Sequence, residues 1–247
     1  MDKERQQEMV YGIRPVLEAV DAGKEVEKVL IQKGLRSATF AELMQVIKEH
    51  SVPYQFVPVE KLNRVTRKNH QGVVAYISPV AFYRIEDVLP GIYEQGKMPF
   101  MLVLDRITDV RNFGAILRTA ECTGVDAVVI PSRNSAQLNS GTVKSSAGAI
   151  FNMPICRSDN LKDTIDYLKQ SGLRVAAATE KAEHTCFAAD LTGPLVLLLG
   201  SEGEGISTEY LKKADVQVKI PVLGEIESLN VSVAAGVLMY EVIRQRQ

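Results

Sequence analysis

The amino-acid sequence predicts an α/β protein with a small N-terminal α/β domain and a larger C-terminal domain built on a mainly parallel sheet. From Phe100 onward, five apolar runs of strand length alternate with segments of helical periodicity, which is the pattern of repeated βα units. Between Pro79 and Pro99 this pattern weakens and Pro90-Gly91 interrupts it. We therefore expect an N-terminal domain at 1–78, a linker at 79–98 and a C-terminal domain at 99–247.

Hydrophobic periodicity gives the order of the elements in each domain. The N-terminal elements are predicted to be a helix from Glu8, a strand at Val26–Ile31, a helix at Thr39–His50 and strands at Tyr54–Val57 and Gly72–Ile77. The linker is predicted to hold one short helix at Ile85–Leu89. The C-terminal strands are predicted at Met101–Asp105, Ala127–Ile130, Arg174–Ala178, Leu195–Leu199 and Val216–Ile220.

The composition limits the class of protein. With 247 residues, 46% of them hydrophobic, the chain can bury one large core or two modest ones. Because the formal net charge is -1, any nucleic-acid surface must be a local patch. The three cysteines lack paired spacing, the start is polar, and every apolar run is far shorter than the ~20 residues of a spanning helix. These features predict a reduced, cytoplasmic protein.

Two glycine-containing segments in the last third of the chain predict a ligand site. An apolar run leads into Leu199–Gly205, a cluster of glycines that carries acidic side chains, and Ile220-Pro221 is followed by Ser228–Asn230 at the start of a helix. This arrangement places backbone amides, a carboxylate and small polar side chains at strand ends. Open α/β sheets bind their ligands there.

Several common chemistries do not fit these residues. Ile206 stands where a phosphate-binding loop needs lysine, which argues against a nucleoside triphosphatase. Thr208 stands where a dinucleotide-binding motif needs its last glycine. The three histidines, His50, His70 and His184, are spread so widely that neither a metal site nor a Ser-His-Asp triad is expected.

The segment after the first C-terminal strand is predicted to start a helix. Phe113, Ile116, Leu117 and Ala120 form a buried stripe at helical spacing, and Arg118 projects away from it in nearly the direction of Arg111. Such a helix would either hold the Arg118 guanidinium over the strand ends, with Asn112 nearby, or simply carry an asparagine cap and a solvated arginine.

The C-terminal helix is apolar on two sides. One stripe consists of Val231, Ala234, Ala235, Leu238 and Val242, and the other of Val233, Val237 and Tyr240. One core layer cannot cover both, so we expect either a second chain or burial of the helix at the centre of its own domain.

A basic run lies near the end of the N-terminal domain. It consists of Lys61, Arg64, Arg67, Lys68 and His70, with no acid between them, and Lys33 and Arg36 could extend it. Such a run can contact phosphates, although clustered surface charges often have no partner.

Three segments in this order resemble the SpoU (TrmH) family of RNA ribose 2'-O-methyltransferases, a branch of the SPOUT class. They are Asn112–Ala120, Leu199–Gly205 and Ile220-Pro221 through Ser228–Ala234. The resemblance extends from Phe100 to the C terminus, and it departs from the usual form at Val110, where proline is often found. The N-terminal domain, with Tyr11-Gly12 and His70–Val73, looks like the RNA-binding domain that accompanies this family.

The resemblance implies a C-terminal trefoil knot, S-adenosylmethionine as the methyl donor, no metal, and a homodimer with its active site near the subunit interface. By motif position, Gly200, Ile220 and Leu229 would contact the donor. The catalytic and structural polar residues would be Asn112, Arg118, Glu202, Ser228 and Asn230. Lys61, Arg64, Arg67, Lys68, His70 and Arg111 would contact RNA.

The leading hypothesis is therefore methylation of one ribose in structured RNA, with a guanosine of large-subunit ribosomal RNA as the expected target. A transfer-RNA ribose remains the alternative target, although similar enzymes that act on transfer RNA often lack the added N-terminal domain. An RNA-binding protein that kept the fold without turnover is a rival function. A small-molecule or protein methyltransferase of the ordinary Rossmann type is less compatible, because its glycine loop should follow the first strand of the domain.

Overall fold

The computed structural model describes residues 9–247. The polar start of the chain, which is the basis for expecting no secretion signal, lies outside these residues. The chain folds into two compact units, one that ends at Ala81 and a second that runs from Phe82 to Gln247, except that Leu138–Ser140 belong with the first. Within the expected linker 79–98, residues from Phe82 onward belong to the second unit. No helix in residues 9–247 has the length and apolarity needed to cross a bilayer.

The first unit is a four-stranded sheet covered by helices. In chain order its elements are β1 (Met9–Tyr11), α1 (Ile13–Asp21), β2 (Val26–Gln32), α2 (Ala38–Glu49), β3 (Tyr54–Val57), α3 (Val59–Val65) and β4 (Val73–Ile77). The strand order in the sheet is β1-β4-β2-β3, with β2 and β3 parallel and β4 antiparallel to both of its neighbours. Apolar residues of α1 and α2 pack with one face of the sheet, whereas Leu62 of α3 packs with Leu30 and Val74 in a separate cluster.

Two features of the first unit differ from the sequence expectation. The helix expected from Glu8 begins only at Ile13, because Met9–Tyr11 pair with β4 and Gly12, at φ 97°, turns the chain between strand and helix. The helix α3 was not expected, although it carries part of the basic run. A pairing partner 65 residues away is invisible to local periodicity, which explains why the first strand was missed.

The second unit is an eight-stranded sheet with helices, in which every neighbouring pair is parallel. Its strands are β5 (Phe82–Tyr83), β6 (Phe100–Leu104), β7 (Ala127–Pro131), β8 (Ile155–Ser158), β9 (Arg174–Ala178), β10 (His184–Thr185), β11 (Leu195–Leu199) and β12 (Val216–Lys219). Its helices are α4 (Ile85–Glu94), α5 (Val110–Cys122), α6 (Ser140–Ser145), α7 (Leu161–Gln170), α8 (Thr208–Leu211) and α9 (Val231–Arg246), with a 3-10 turn at Ala149–Phe151.

The order of the strands locates the place where a ligand can enter. The sheet runs β10-β12-β9-β11-β6-β7-β8-β5, so the chain proceeds from β6 through β7 to β8 on one side and then crosses to β9 and later β11 on the other. The carboxyl ends of β6 and β11 therefore flank the point at which the winding reverses. Crevices at such switch points are the usual ligand sites of open α/β sheets.

Helices cover both faces of this sheet. Apolar residues of α4 and α7 share one cluster with Met101, Val103 and Leu198, whereas the intervening residues Leu102 and Leu197 are buried on the opposite face. The helices α5 and α9 pack against each other, and α9 contacts β11. The α/β architecture and the mainly parallel sheet are confirmed, while the trefoil knot stays a prediction.

The five expected C-terminal strands are present, with ends that differ by at most one residue. The expected helix at Ile85–Leu89 extends to Glu94 and includes Pro90. The strands that were not expected, β5, β8 and β10, have only two to four residues each. Runs this short carry too little periodicity to be recognised without their neighbours in the sheet.

A pair of glycine substitutions tests the packing of α5. A Cβ at Gly114 would lie 1.9 Å from Oγ, 2.6 Å from Cβ and 2.9 Å from the carbonyl carbon of Ser145. A change of the Ser145 rotamer cannot relieve the last two contacts, so we expect Gly114→Ala to lower the free energy of unfolding by about 1–3 kcal/mol in urea titrations.

The matched control is Gly236→Ala in α9, where the nearest atom to a new Cβ is Thr119 Cγ2 at 3.8 Å. This change should be neutral or should stabilise the helix by up to about 1 kcal/mol, since alanine is the better helix former. Equal stability of the two variants would contradict the packing described for α5.

Candidate functional site

A cavity of about 820 Å³ opens at the carboxyl ends of the strands in the second unit. Its walls come from the segments that follow β9, β11 and β12 and from the start of α9. Three predicted donor contacts, Gly200, Ile220 and Leu229, line it together with Glu202, Ser228 and Asn230. Its size lies within the range of about 300–1,000 Å³ that is usual for small-molecule pockets.

The glycine loop after β11 folds back on itself. Ser201 and Gly205 form an antiparallel bridge, in which the Ser201 amide donates to the Gly205 carbonyl at 3.2 Å and the Gly205 amide donates back at 3.0 Å. A Cβ at Gly200 would lie 2.1 Å from the backbone carbon of Gly205, so only glycine permits this approach. The fold of the loop leaves Glu202 at its exposed tip.

The start of α5 places a second polar group beside this loop. The Asp109 carboxylate caps the helix by accepting from the amides of Arg111 at 2.9 Å and Asn112 at 2.8 Å. Val110 occupies the first helical position, where proline is favoured because its φ is already helical. The expectation of an asparagine cap is wrong, because Asp109 makes the cap and leaves the Asn112 side chain available.

Asn112, Glu202 and Asn230 meet in one hydrogen-bonded group, which we call the polar triad. The side-chain amides of Asn112 and Asn230 both donate to Glu202 Oε1, at 2.9 Å and 2.6 Å, and Asn230 also donates to Asn112 Oδ1 at 3.1 Å. Ser232 Oγ donates to Asn230 Oδ1 at 2.6 Å and fixes that amide. The three residues lie 28 to 118 positions apart in sequence.

The remaining predicted site residues follow β12. Ile220 is half-buried, whereas Ser228 and Leu229 belong to an exposed stretch that runs from Pro221 to Asn230. Leu223 in this stretch is 99% exposed and Ile226 is 77% exposed. The stretch therefore contributes both polar and apolar side chains beside the cavity.

Arg118 does not join the polar triad within one chain. It lies about 9 Å along α5 from Asn112 and about 120° around the helix axis. Its side chain is exposed and makes no hydrogen bond or ion pair with residues of the described chain. Arg111 is exposed in a similar direction.

The two stripes of α9 have different surroundings. Ala235, Leu238 and Val242 of the first stripe are buried in the second unit. In the other stripe, Val233 is 52% exposed and Tyr240 is 57% exposed. The second stripe therefore faces outward, so the interpretation of α9 as a fully enclosed central helix is wrong.

The basic run of the first unit lies at one edge of its sheet. The Gly12 amide bonds to Val73 and the Lys33 amide to Val57, so the segments after β1, β2 and β3 and the segment before β4 converge there. Lys68 Nζ lies 5.2 Å from the centre of the Tyr11 ring. We call this surface the basic edge; its cations are Arg14, Lys33, Arg36, Lys61, Arg64, Arg67 and Lys68.

His70 differs from the other residues of the run because it is buried. Its Nδ1 accepts from the Gly72 amide at 3.0 Å, and its Nε2 lies 2.9 Å from Asn63 Oδ1. Since Nδ1 is the acceptor, Nε2 carries the proton and donates to Asn63. Both ring nitrogens are occupied, so His70 shapes the turn before β4 and has no free nitrogen for a phosphate.

Sequence reasoning missed three residues that organise the site. Asp109 caps α5, and Asp105 and Arg106 connect the end of β6 to the glycine loop through Ser207 and Gly205. An aspartate directly before a segment of helical periodicity is a helix-start signal that could have identified Asp109. No local pattern pairs Asp105 with Ser207, which is 102 positions away.

Both units match family models. Residues 99–240 match the SpoU rRNA methylase family, and residues 9–83 match a domain described as RNA 2'-O ribose methyltransferase substrate binding. A Staphylococcus haemolyticus protein, provisionally named a TrmH family tRNA/rRNA methyltransferase, is 38% identical over 240 residues, which are 96% of each chain.

Solved structures give the same result. An AdoMet-bound rRNA methyltransferase from Sinorhizobium meliloti aligns with a TM-score of 0.62 and 25% identity, covering 96% of this chain and 86% of that one. The A. aeolicus TrmH/SpoU tRNA modifying enzyme aligns with a TM-score of 0.55 and 29% identity, covering 65% of this chain and 83% of its own. The matched family model, which spans more than half of the chain, and the relative that is 38% identical over 96% of it together show that this protein belongs to the SpoU (TrmH) family of RNA methyltransferases.

Proposed function

We propose that this protein methylates a ribose 2'-hydroxyl in structured RNA, with a guanosine of large-subunit ribosomal RNA as its target. The observation that carries the proposal is the polar triad at the mouth of the glycine-walled cavity. The triad supplies oriented amides and a carboxylate beside a pocket of cofactor size. The three free cysteines support a cytoplasmic location for this reaction.

The cavity fits S-adenosylmethionine as the methyl donor. Gly200 lets the backbone turn sharply at the cavity wall, so peptide groups rather than side chains border this side of the pocket. Ile220 and Leu229 would hold the donor from the opposite wall, and Glu180 and Glu227 add negative charge that suits a cationic sulfonium. The bound donor would supply an electrophilic methyl group, which needs no metal.

The polar triad is suited to hold the reacting groups in place. Glu202 Oε1 already accepts two amide hydrogen bonds, which fix its position. Asn112 and Asn230 are thereby held in single orientations. Placement of this kind can supply several kcal/mol of a transfer barrier, because methyl transfer needs the oxygen, carbon and sulfur in line.

Arg118 is proposed to orient an RNA phosphate or to stabilise the developing alkoxide. A guanidinium has no free lone pair to accept a proton, but it can bind an oxyanion through two hydrogen bonds. Its exposure and lack of a partner within the described chain leave it available for this role.

We propose a homodimer that covers the outward stripe of α9. Val233 and Tyr240 form an exposed apolar strip on this helix, which packs against α5, the helix that bears Arg118. The open Pro221–Asn230 stretch borders the cavity and leads into α9, so one partner could cover both surfaces. The dimer would then place the active site near the subunit interface.

We propose that the basic edge, with Arg111 of the second unit, binds RNA. Apart from Glu60, the converging segments carry no acid. Burial and, to a smaller extent, the positive charge of Lys61 lower the pKa of Lys28. A second cavity, of about 460 Å³, lies here and is lined by Tyr11, Arg14, Asn69 and Gln71 among others. Cations beside an aromatic ring and amide side chains suit phosphates and unpaired bases.

The two-domain arrangement supports ribosomal RNA over transfer RNA as the target. The S. meliloti rRNA methyltransferase aligns with 96% of this chain, whereas the A. aeolicus tRNA modifying enzyme aligns with 65%. A transfer-RNA ribose remains the alternative substrate. The intact polar triad weighs against a protein that kept only RNA binding.

The substrate can be identified by mapping ribose methylation in RNA from cells with and without this gene product. We expect one 2'-O-methylated guanosine of large-subunit ribosomal RNA to disappear and to return on complementation. Loss of a transfer-RNA mark would overturn the ribosomal target, and loss of no mark in either RNA would contradict ribose methylation.

Removing Arg118 separates turnover from donor binding. We expect Arg118→Ala to lower kcat by on the order of 100-fold or more, as for other lost oxyanion contacts, while calorimetry shows donor affinity within a few-fold of the wild type. Arg174→Ala, at the opposite end of the sheet, should leave both values unchanged. A matching fall in donor affinity for Arg118→Ala would contradict the proposed role.

Charge removal at the basic edge tests RNA binding. We expect Arg64→Ala and Arg67→Ala each to weaken binding of a labelled RNA hairpin and to reduce the slope of log K against log salt by about 0.7–0.9. Lys48→Ala is the control, because α2 starts at the basic edge and ends at the opposite one. The same loss in the control would mean that net charge, and not this surface, governs binding.

A further inference from the structure

A buried aspartate, Asp105, connects the end of the glycine loop to the end of β6. Asp105 is only 2% exposed, and its Oδ2 accepts a hydrogen bond from the Ser207 amide at 2.8 Å. Because Asp105 also donates its own amide to Leu199 at 2.8 Å, one residue holds the last position of β11 and the end of the loop that follows.

The neighbouring Arg106 completes this connection. Its Nε donates to Asp105 Oδ1 at 3.0 Å and its Nη2 to Oδ2 at 3.2 Å. Nη2 also donates to the Gly205 carbonyl at 3.2 Å, and Nη1 donates to the Glu204 carboxylate. The guanidinium therefore neutralises a buried carboxylate and grips two consecutive residues of the glycine loop.

The backbone of Arg106 is strained to make these contacts. Its φ is 58°, in the left-handed region, which is unfavourable for a residue with a side chain. Glycine would adopt this conformation without cost, yet it could not bridge the loops. Strain of this kind is retained where surrounding contacts compensate for it, often at functional sites.

The contacts of Arg106 with the glycine loop also affect the position of Glu202. The Gly205 carbonyl that Arg106 holds is the same one that accepts from the Ser201 amide, so Arg106 stabilises the bridge on which Glu202 is carried. Gly200 is less dependent on Arg106, because the pairing of Leu199 with Leu104 in the sheet already fixes the residue before it.

We propose that Arg106 is a positioning residue for methyl transfer, which acts by holding the Ser201–Gly205 bridge so that Glu202 meets Asn112 and Asn230. The expected fall in kcat rests on the proposed function, whereas the expected change in the loop rests on the hydrogen bonds alone. Loss of Arg106 should disturb the polar triad more than the donor-binding wall.

The informative variant is Arg106→Gly, because it removes the guanidinium and the backbone strain together. We expect kcat to fall roughly 10–100-fold, in line with misplacement of a catalytic group by about 1 Å, while donor Kd changes less than about threefold. Because Arg106→Gly leaves the buried Asp105 carboxylate without its counter-ion, the midpoint of thermal unfolding should fall. Addition of millimolar guanidinium ion should restore part of kcat in Arg106→Gly and none in the wild type.

Hydrogen exchange provides a readout that does not depend on activity. Peptides covering Ser201–Ser207 should exchange faster in Arg106→Gly, since the amides of Gly205 and Ser207 lose protection. Arg174→Ala is the control, because it removes an exposed ion pair to Asp190 at the amino end of β9. It should change neither loop exchange nor kcat.

The outcomes separate this proposal from the proposed function. Unchanged loop exchange in Arg106→Gly would overturn the positioning role, whatever the activity. The positioning role would also be overturned if the wild type is active and the variant has the same kcat. The same holds if kcat, donor affinity and thermal stability all fall in parallel and guanidinium ion restores none of the lost kcat. Absence of any methyl transfer by the wild type, with loop exchange as expected, would instead refute the proposed function and remove the kinetic part of this inference.

Discussion

One carboxylate, that of Glu202, joins the parts of the site that come from different regions of the chain. It accepts hydrogen bonds from Asn112 at the start of α5 and from Asn230 at the start of α9. These polar bonds set the spacing of the three segments at the mouth of the cavity. The arrangement depends in turn on a sheet whose strand order brings β6 and β11 together at the switch point.

Backbone geometry at Gly200 and Arg106 allows Glu202 to reach its two asparagine partners. The two residues contribute in opposite ways. Gly200 permits an approach to Gly205 that no side chain would allow, so its role is to leave space. Arg106 adopts a backbone conformation better suited to glycine, and its side chain makes contacts that glycine could not make. The first constraint shapes the cavity wall and the second holds the loop that carries Glu202.

The chain separates chemistry from recognition. The second unit contains the cavity and the polar triad, whereas the cations of the basic edge lie in the first unit. A protein with a formal net charge of -1 can still offer a phosphate-binding surface when its cations are gathered at one edge of a small sheet. The structure gathers them because the ends of β1, β2 and β3 and the start of β4 lie at the same edge.

The sequence by itself determined the α/β class, the five central strands of the C-terminal sheet and the segments that contribute to the site. Long apolar runs and glycine clusters are local signals, whereas the site roles expected for Asn112, Glu202 and Asn230 came from the resemblance of their motifs to the SpoU family. Tertiary structure alone decided that these three side chains bond to one another, that His70 is buried and that Arg118 stands apart from the triad. It also revealed the short strands and the Asp105–Arg106 connection. Such features depend on contacts between residues far apart in the chain, which side-chain periodicity and local propensity do not encode.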